Sequence, residues 1–224
     1  MCGRYTLTKS KKALIDHFQV SEWIEGEVGA RYNIAPTQPV LVVRLLRGRR
    51  RLDHVRWGLV PSWAKDPTIG GRMINARAET IVEKPAYRAA FRYRRCLIPA
   101  DGFYEWRKLV EGGKQPFYIH LRDGGVFAFA GLWEHWQGED GSELESCTII
   151  TTTSNERLSD LHDRMPVILG PDHYDVWLRT DSQDAPGLLK MLQPYTAAPL
   201  DAYPVSQLVN SARNDGPACV RRLE

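Results

Sequence analysis

A hairpin legible in the sequence narrows the folds open to this chain. Val40–Leu46 is an aliphatic, β-branched run, Gly48 and its flanking arginines make a turn, and Leu52–Trp57 runs back. β-Branched side chains suit the pleated, half-buried surface of a sheet, and two such runs across a glycine read as an antiparallel pair. The pattern recurs. Cys96–Ile98 is strand-like, Gly102–Lys108 and Gln115–Leu121 alternate around Gly112-Gly113, and Val126–Trp133 and Ser146–Thr153 are buried-strand runs. Helical spacing is confined to short pieces: Lys11–Val20, part of Glu79–Tyr93, Pro171–Leu178 and Pro186–Leu192. Arg31–Gln38 reads as loop, with Pro36 enforcing an extended approach. Trp57–Trp63 and Pro67–Gly71 read as a surface loop, and Tyr203–Val209 as a return to the sheet. With no linker, repeat or low-complexity stretch, the expectation is one α+β domain over residues 1–224. Its core is mostly antiparallel and β-barrel-like, with short flanking helices.

No apolar run reaches bilayer-spanning length, and the basic start (Arg4, Lys9, Lys11, Lys12) has no apolar signal-peptide core. The expectation is a cytoplasmic or nucleoid-associated protein with no membrane partner, and a monomer by default. Cys2, Cys96, Cys147 and Cys219 are widely separated, with no C-x-x-C or paired-His spacing for a zinc site; a disulfide framework has no support in a reducing compartment, and Cys96 and Cys147 read as core. Positive charge is bunched although the net charge is only +3. Arg44, Arg47, Arg49, Arg50 and Arg51 form one cluster; Arg88, Arg92, Arg94 and Arg95 form another among Tyr87, Phe91 and Tyr93. Such clusters suit a phosphate backbone with unstacked bases, and equally suit solvated turns.

Five residues carry groups suited to a reaction centre. Cys2 follows the initiator methionine. Once Met1 is removed, one residue carries an α-amine and a thiol on adjacent carbons, with ordinary pKa values near ~8 and ~8.5. A 1,2-aminothiol traps aldehydes: the amine forms an imine, the thiol adds to it, and a five-membered thiazolidine closes. Glu105 stands among Phe103, Tyr104 and Trp106. Alternation places it on the face of Phe103, opposite Tyr104 and Trp106. If that face is buried, its pKa rises toward neutrality and it becomes a proton shuttle; if it faces water, the residue is decoration. His162 lies in Leu161-His162-Asp163-Arg164-Met165-Pro166, with an imidazole suited to proton transfer or to a structural contact. Asn75 and Arg77 offer an amide and a planar cation, and equally read as a turn asparagine beside a solvated arginine.

Read in order, several segments form a pattern: Cys2-Gly3-Arg4, Tyr32-Asn33-Ile34-Ala35-Pro36, Trp57-Gly58-Leu59-Val60-Pro61-Ser62-Trp63 and Asn75-Ala76-Arg77-Ala78-Glu79-Thr80. Arg95–Trp106, Ala130–Trp133, Thr148–Thr152 and His162–Pro166 continue it. The chain closely resembles the SOS-response-associated peptidase (SRAP) family, from Cys2 to near its C-terminus. The resemblance implies recognition of abasic sites in single-stranded DNA, at junctions with duplex among other places, and covalent capture. Cys2 would be the nucleophile, Asn75, Glu105 and His162 the other active-site residues, and Arg4 and Arg77 contacts to DNA phosphate. It further implies a lyase side activity, autocatalytic removal of Met1, and no requirement for metal or organic cofactor. The rival reading within the same family is a cysteine-type peptidase acting on other proteins; the rival outside it is a non-covalent single-strand binding module.

Overall fold

The computed structural model describes residues 2–23, 28–180 and 184–224; Met1 lies outside them. Five strands close on themselves. β4 (Pro39–Leu46) and β5 (Arg49–Trp57) form the hairpin expected from sequence, with Val40 opposite Val55 and Leu46 opposite Arg49. β4 continues to β7 (Arg95–Ala100), β7 to β10 (Phe127–Gln137), and β10 to β11 (Glu143–Thr153), each pair antiparallel. A parallel pairing of β11 with β5, Ser146 opposite Arg56 and Cys147 opposite Trp57, completes the ring. Closure removes the exposed edges that an open sheet would leave.

Shorter strands extend this barrel. β2 (Glu22–Trp23) adds to β5, β6 (Asn75–Arg77) and β12 (Arg164–Pro166) to β11, and β13 (Ile168–Leu169) to β10. A second, five-stranded sheet contains β1 (Tyr5–Leu7), β3 (Arg31–Ile34), β8 (Gly102–Lys108), β9 (Lys114–Leu121) and β14 (Leu200–Pro204), in the order β14-β9-β8-β1-β3. The helices are short: α1 (Lys11–Phe18), α2 (Arg88–Tyr93), α3 (Tyr174–Leu178) and α4 (Ala185–Lys190). The architecture is α+β around a β-barrel. No helix among the described residues is long and apolar enough to cross a membrane.

Aromatic side chains join the two sheets. Tyr5 of β1 packs edge-on against Trp57 and Phe129 at 5.4 and 5.6 Å, and Phe103 of β8 meets Phe129 at 6.0 Å. A buried carboxylate secures β1: Asp101 accepts from the hydroxyls of Thr6 and Thr8 and from the Thr8 N–H. Cys96 and Cys147 are buried, as their apolar settings imply.

Three local expectations require correction. The first half of Arg31–Gln38 is strand β3, because long-range pairing with β1 and the Asp215 carboxylate on the Tyr32 and Asn33 N–H groups hold it straight. Within Trp57–Trp63, Leu59 and Val60 are fully buried and only Ser62 and Trp63 are exposed. The C-terminal return to the sheet is β14, earlier than expected; Gln207–Asn210 forms a 3-10 turn instead.

Candidate active site

The residues singled out by their chemistry converge where the two sheets meet. Tyr5 pairs with Phe103 and Thr6 with Gly102, and the Tyr104 N–H donates to the Arg4 carbonyl at 3.0 Å. That register runs β8 back along the start of the chain and carries Glu105 to the neighbourhood of Cys2. From the other side β6 lies along β11, Asn75 opposite Ile149, and the Asn75 amide reaches across. Its Nδ2 donates to the Cys2 carbonyl at 2.9 Å. Its Oδ1 is buried with no hydrogen-bond partner among the described residues, an acceptor available to an incoming donor. Tyr87 steadies the strand by donating to the Asn75 carbonyl at 3.3 Å.

Electrostatics set the protonation states. Cys2 is fully buried, and burial pushes its thiol pKa well up, with the nearby Glu105 charge pushing the same way. The thiol is therefore neutral at physiological pH. Glu105 is 4% exposed, which answers the question its flanking aromatics raised. Desolvation pushes its carboxyl up to about 7, opposed in part by the backbone N–H of Trp106 and assisted by Asp163. A carboxyl that titrates near neutrality both accepts and returns protons.

His162 sits in the turn before β12. Its Nδ1 is 3.0 Å from the Arg164 backbone N–H and 2.8 Å from Asp163 Oδ1. The first contact requires a lone pair on Nδ1 and the second a proton, so the two exchange as the ring titrates. Burial lowers the imidazole pKa, with Asp163 opposing. That the Asp163 charge is felt at Glu105 places this turn within electrostatic range of the carboxyl.

Arg164 and Glu79 were not singled out from the sequence, yet they link the two flanks. Arg164 grips Glu79 through both nitrogens, at 2.9 and 3.0 Å, and donates to the Thr151 carbonyl at 2.7 Å. Thr151 faces Arg77 on one side of β11 and Pro166 on the other. The clasp thus ties the Asn75 strand to the His162 turn, and it holds the Glu79 carboxyl below its usual range. In the sequence both were single charges in polar segments, without periodicity to mark them.

The two arginines expected at DNA differ in setting. Arg77 is exposed, on an open groove of about 430 Å³ lined also by Trp63, Asn75, Lys84 and Tyr87. Arg4 is half-buried; its guanidinium donates to Asn33 Oδ1 and to the Val209 and Asn210 carbonyls. The first arginine cluster is largely neutralised within the protein. Arg44 pairs with Asp53 and Glu145, Arg49 with Glu22, Arg50 with Asp175 and Arg51 with Asp53. In the second, Arg94 pairs with Glu134, and buried Arg95 donates to the carbonyls of Phe91, Arg92, Trp177 and Arg179. Charge bunched in sequence is thus partly cancelled by carboxylates that only the fold brings near.

Known proteins resemble this chain over most of its length. Residues 1–212 match the family model for SOS response associated peptidase (SRAP). The Bacillus subtilis abasic site processing protein YoqW is 47% identical over 221 residues, covering 98% of this chain and 99% of that protein. The abasic site processing protein HMCES of Gallus gallus is 34% identical, covering 92% of this chain and 70% of its own length. A crystal structure of a protein from Bacteroides thetaiotaomicron superposes with a TM-score of 0.85 at 26% identity over the whole of both chains. A phage-related protein from Bordetella bronchiseptica superposes with a TM-score of 0.71 at 30% identity, over 92% of this chain and 95% of that one.

Proposed function

The chain belongs to the SOS response associated peptidase family, and on that premise we propose that it processes abasic sites in single-stranded DNA by capturing the lesion covalently on Cys2. The observation that carries the reading is the hold of Asn75 on the Cys2 carbonyl, beside a buried carboxyl that titrates at about 7. Removal of Met1, by the protein itself or by a methionine aminopeptidase, frees the Cys2 α-amine. An abasic deoxyribose exchanges between a closed hemiacetal and an open aldehyde, and only the aldehyde reacts. His162 moves a proton at the ring oxygen to assist opening. The Cys2 amine adds to C1 and water departs as the imine forms, with Glu105 supplying the proton to the leaving hydroxyl. The Cys2 thiol then adds across the C=N bond: sulfur bonds to C1, the thiol proton passes through Glu105, and the nitrogen ends as the ring amine of a thiazolidine.

A neutral thiol suits this sequence, because the imine is the electrophile and the proton leaves as the sulfur attacks. Asn75 holds Cys2 by its carbonyl and offers Oδ1 to the amine or to a sugar hydroxyl. Arg4 and Arg77 take the flanking phosphates. Sequestering C1 suppresses β-elimination and shields the strand. Glu105 and His162 serve the reverse reaction by microscopic reversibility, and an imine left uncaptured leads to strand cleavage, a lyase activity. Substrates at junctions between single-stranded and duplex DNA fall within the same reading, as does a monomeric protein of one domain over residues 1–224. The peptidase reading would use the same thiol on other proteins. A thiol kept neutral by burial speaks against it, since cysteine peptidases attack as thiolates.

The test is intact-mass spectrometry of protein beginning at Cys2, mixed with single-stranded DNA bearing one abasic site. An adduct stable to denaturant and high salt, smaller than the summed masses by one water and absent from Cys2→Ala, is the expected result. Its absence in the wild type would return the weight to the peptidase or to non-covalent binding.

A further inference from the structure

Among the described residues, Arg4 is oriented by its partners without being neutralised by them. The groups that hold its guanidinium are an amide oxygen and two backbone carbonyls, which attract the cation and leave its net charge in place. The centre of this arrangement is Asn33, a polar side chain with no exposure at all. Its Oδ1 accepts from Arg4 at 3.0 Å, and its Nδ2 donates toward the carbonyls of Val209, Ser211 and Asn214 at 3.1, 3.0 and 2.7 Å. The amide has one acceptable orientation: flipped, its NH₂ would face the guanidinium and its oxygen three carbonyls. The Val209 carbonyl receives Arg4 and Asn33 together, so the three groups form a closed triangle.

The C-terminal turn is itself held firmly. The Asp215 carboxylate accepts from the Tyr32 and Asn33 N–H groups and pairs with Arg31, and the Trp106 indole donates to Asn210 Oδ1 at 2.8 Å. A neutral amide at position 33 differs from the carboxylates that meet most arginines of the first cluster. It fixes direction and leaves the charge to act outward.

We infer that Asn33 is a positioning residue for Arg4, which with the 206–215 turn aims an uncancelled positive charge, two residues from Cys2, at a DNA phosphate. The inference rests on the reading of Arg4 as a phosphate contact. It is tested by fluorescence anisotropy with a lesion-free single-stranded oligonucleotide over a salt series, for wild type, Arg4→Gln, Asn33→Ser and the double variant, all confirmed folded by thermal melting. One phosphate contact to single-stranded DNA contributes a slope of roughly 0.7 in log affinity against log salt. Arg4→Gln and Asn33→Ser are each expected to weaken binding about three- to tenfold and to lower the slope by up to roughly that amount, with the double variant no worse than Arg4→Gln. A merely structural role for Asn33 would move the melting temperature, leave the slope, and add to the Arg4 effect; that result overturns the inference. An unchanged slope in Arg4→Gln overturns both the phosphate contact and this inference, while adduct formation on Cys2, measured separately by mass, tests the capture reaction on its own. If Asn33→Ser does not fold, Trp106→Phe, which releases Asn210 from the indole, is expected to lower the slope in the same direction, and an unchanged slope in that variant overturns the inference.

Discussion

The carboxamide of Asn75 and the backbone carbonyl of Cys2 are joined by a 2.9 Å hydrogen bond that spans 73 positions of sequence. It holds Cys2 by its main chain and leaves the thiol, the proposed nucleophile, free of that contact. Asn75→Ala is expected to slow adduct formation by about 10- to 100-fold, because small misplacements of a reacting group are costly. Stability is expected to fall by only about 1 kcal/mol, the worth of one partly buried hydrogen bond. Single-turnover gel assays beside thermal melts separate the two effects.

Glu105 links stability to pH. Burial raises its folded-state pKa to about 7, above the ordinary value near ~4.3 that it has in the unfolded chain. Between those values the folded state binds more protons than the unfolded one, so stability falls as pH rises through the window. Below it the carboxyl is protonated in both states and the penalty is absent. Glu105→Gln is expected to flatten this dependence and to gain about 1–3 kcal/mol relative to wild type at pH 8. Urea melts of both proteins at pH 5 and pH 8 measure it; equal slopes with pH would contradict the buried carboxyl.

The same carboxyl predicts a rate profile. If Glu105 returns and accepts protons during capture, adduct formation is expected to follow a bell whose inner limb lies near pH 7, and Glu105→Gln to be slower by about 100-fold with that limb gone. Stopped single-turnover reactions across pH 5–9 show the limb directly.

Arginines already paired with carboxylates have little charge left for DNA. Arg49→Ala and Arg50→Ala are therefore expected to change affinity for lesion-free single-stranded DNA by less than about twofold, whereas Arg77→Ala lowers the salt slope by roughly 0.7. Anisotropy titrations at several salt concentrations check both. A large loss from the paired arginines would restore the first cluster as a polyanion surface.

Gly58 and Gly70 lie back to back. Gly58 has φ +126°, and a Cβ there would stand 2.5 Å from the Gly70 carbonyl oxygen, a backbone atom with no rotamer to yield. Gly58→Ala is expected to cost about 2–4 kcal/mol in urea unfolding. Because the Leu59 N–H bonds the Met73 carbonyl just ahead of β6, adduct formation is expected to fall as well.

Much of the barrel was legible because its signal is local. Val40–Leu46 and Leu52–Trp57 declare their pairing through composition and a turn glycine, whereas the aromatic neighbours of Glu105 single it out and leave open which way its face turns. What escaped depends on partners far along the chain. β3 is a strand because Asp215 and β1 hold it, although Arg31–Ile34 carries no alternation. Arg44 and Arg50 look like part of a basic patch until the fold brings Glu145 and Asp175 to them. Asn33 is a polar residue whose acceptors all lie beyond position 208. The chemistry of Cys2, Asn75, Glu105 and His162 could be read from residue types; their placement rests on the β1–β8, β6–β11 and β11–β12 registers, which no local pattern encodes.

The grip of the Val209 and Asn210 carbonyls on Arg4 also sets an order of events during synthesis. Arg4 emerges 205 residues ahead of Val209, which lies in the turn that anchors it. A half-made chain already carries Cys2 and Asn33, yet the cation two residues from the cysteine lacks the Val209 and Asn210 carbonyls until that turn emerges. The setting of Arg4 is thereby assembled only after residues 206–215 have been made, so a product cut short before them would carry Cys2 beside a cation that lacks its anchor.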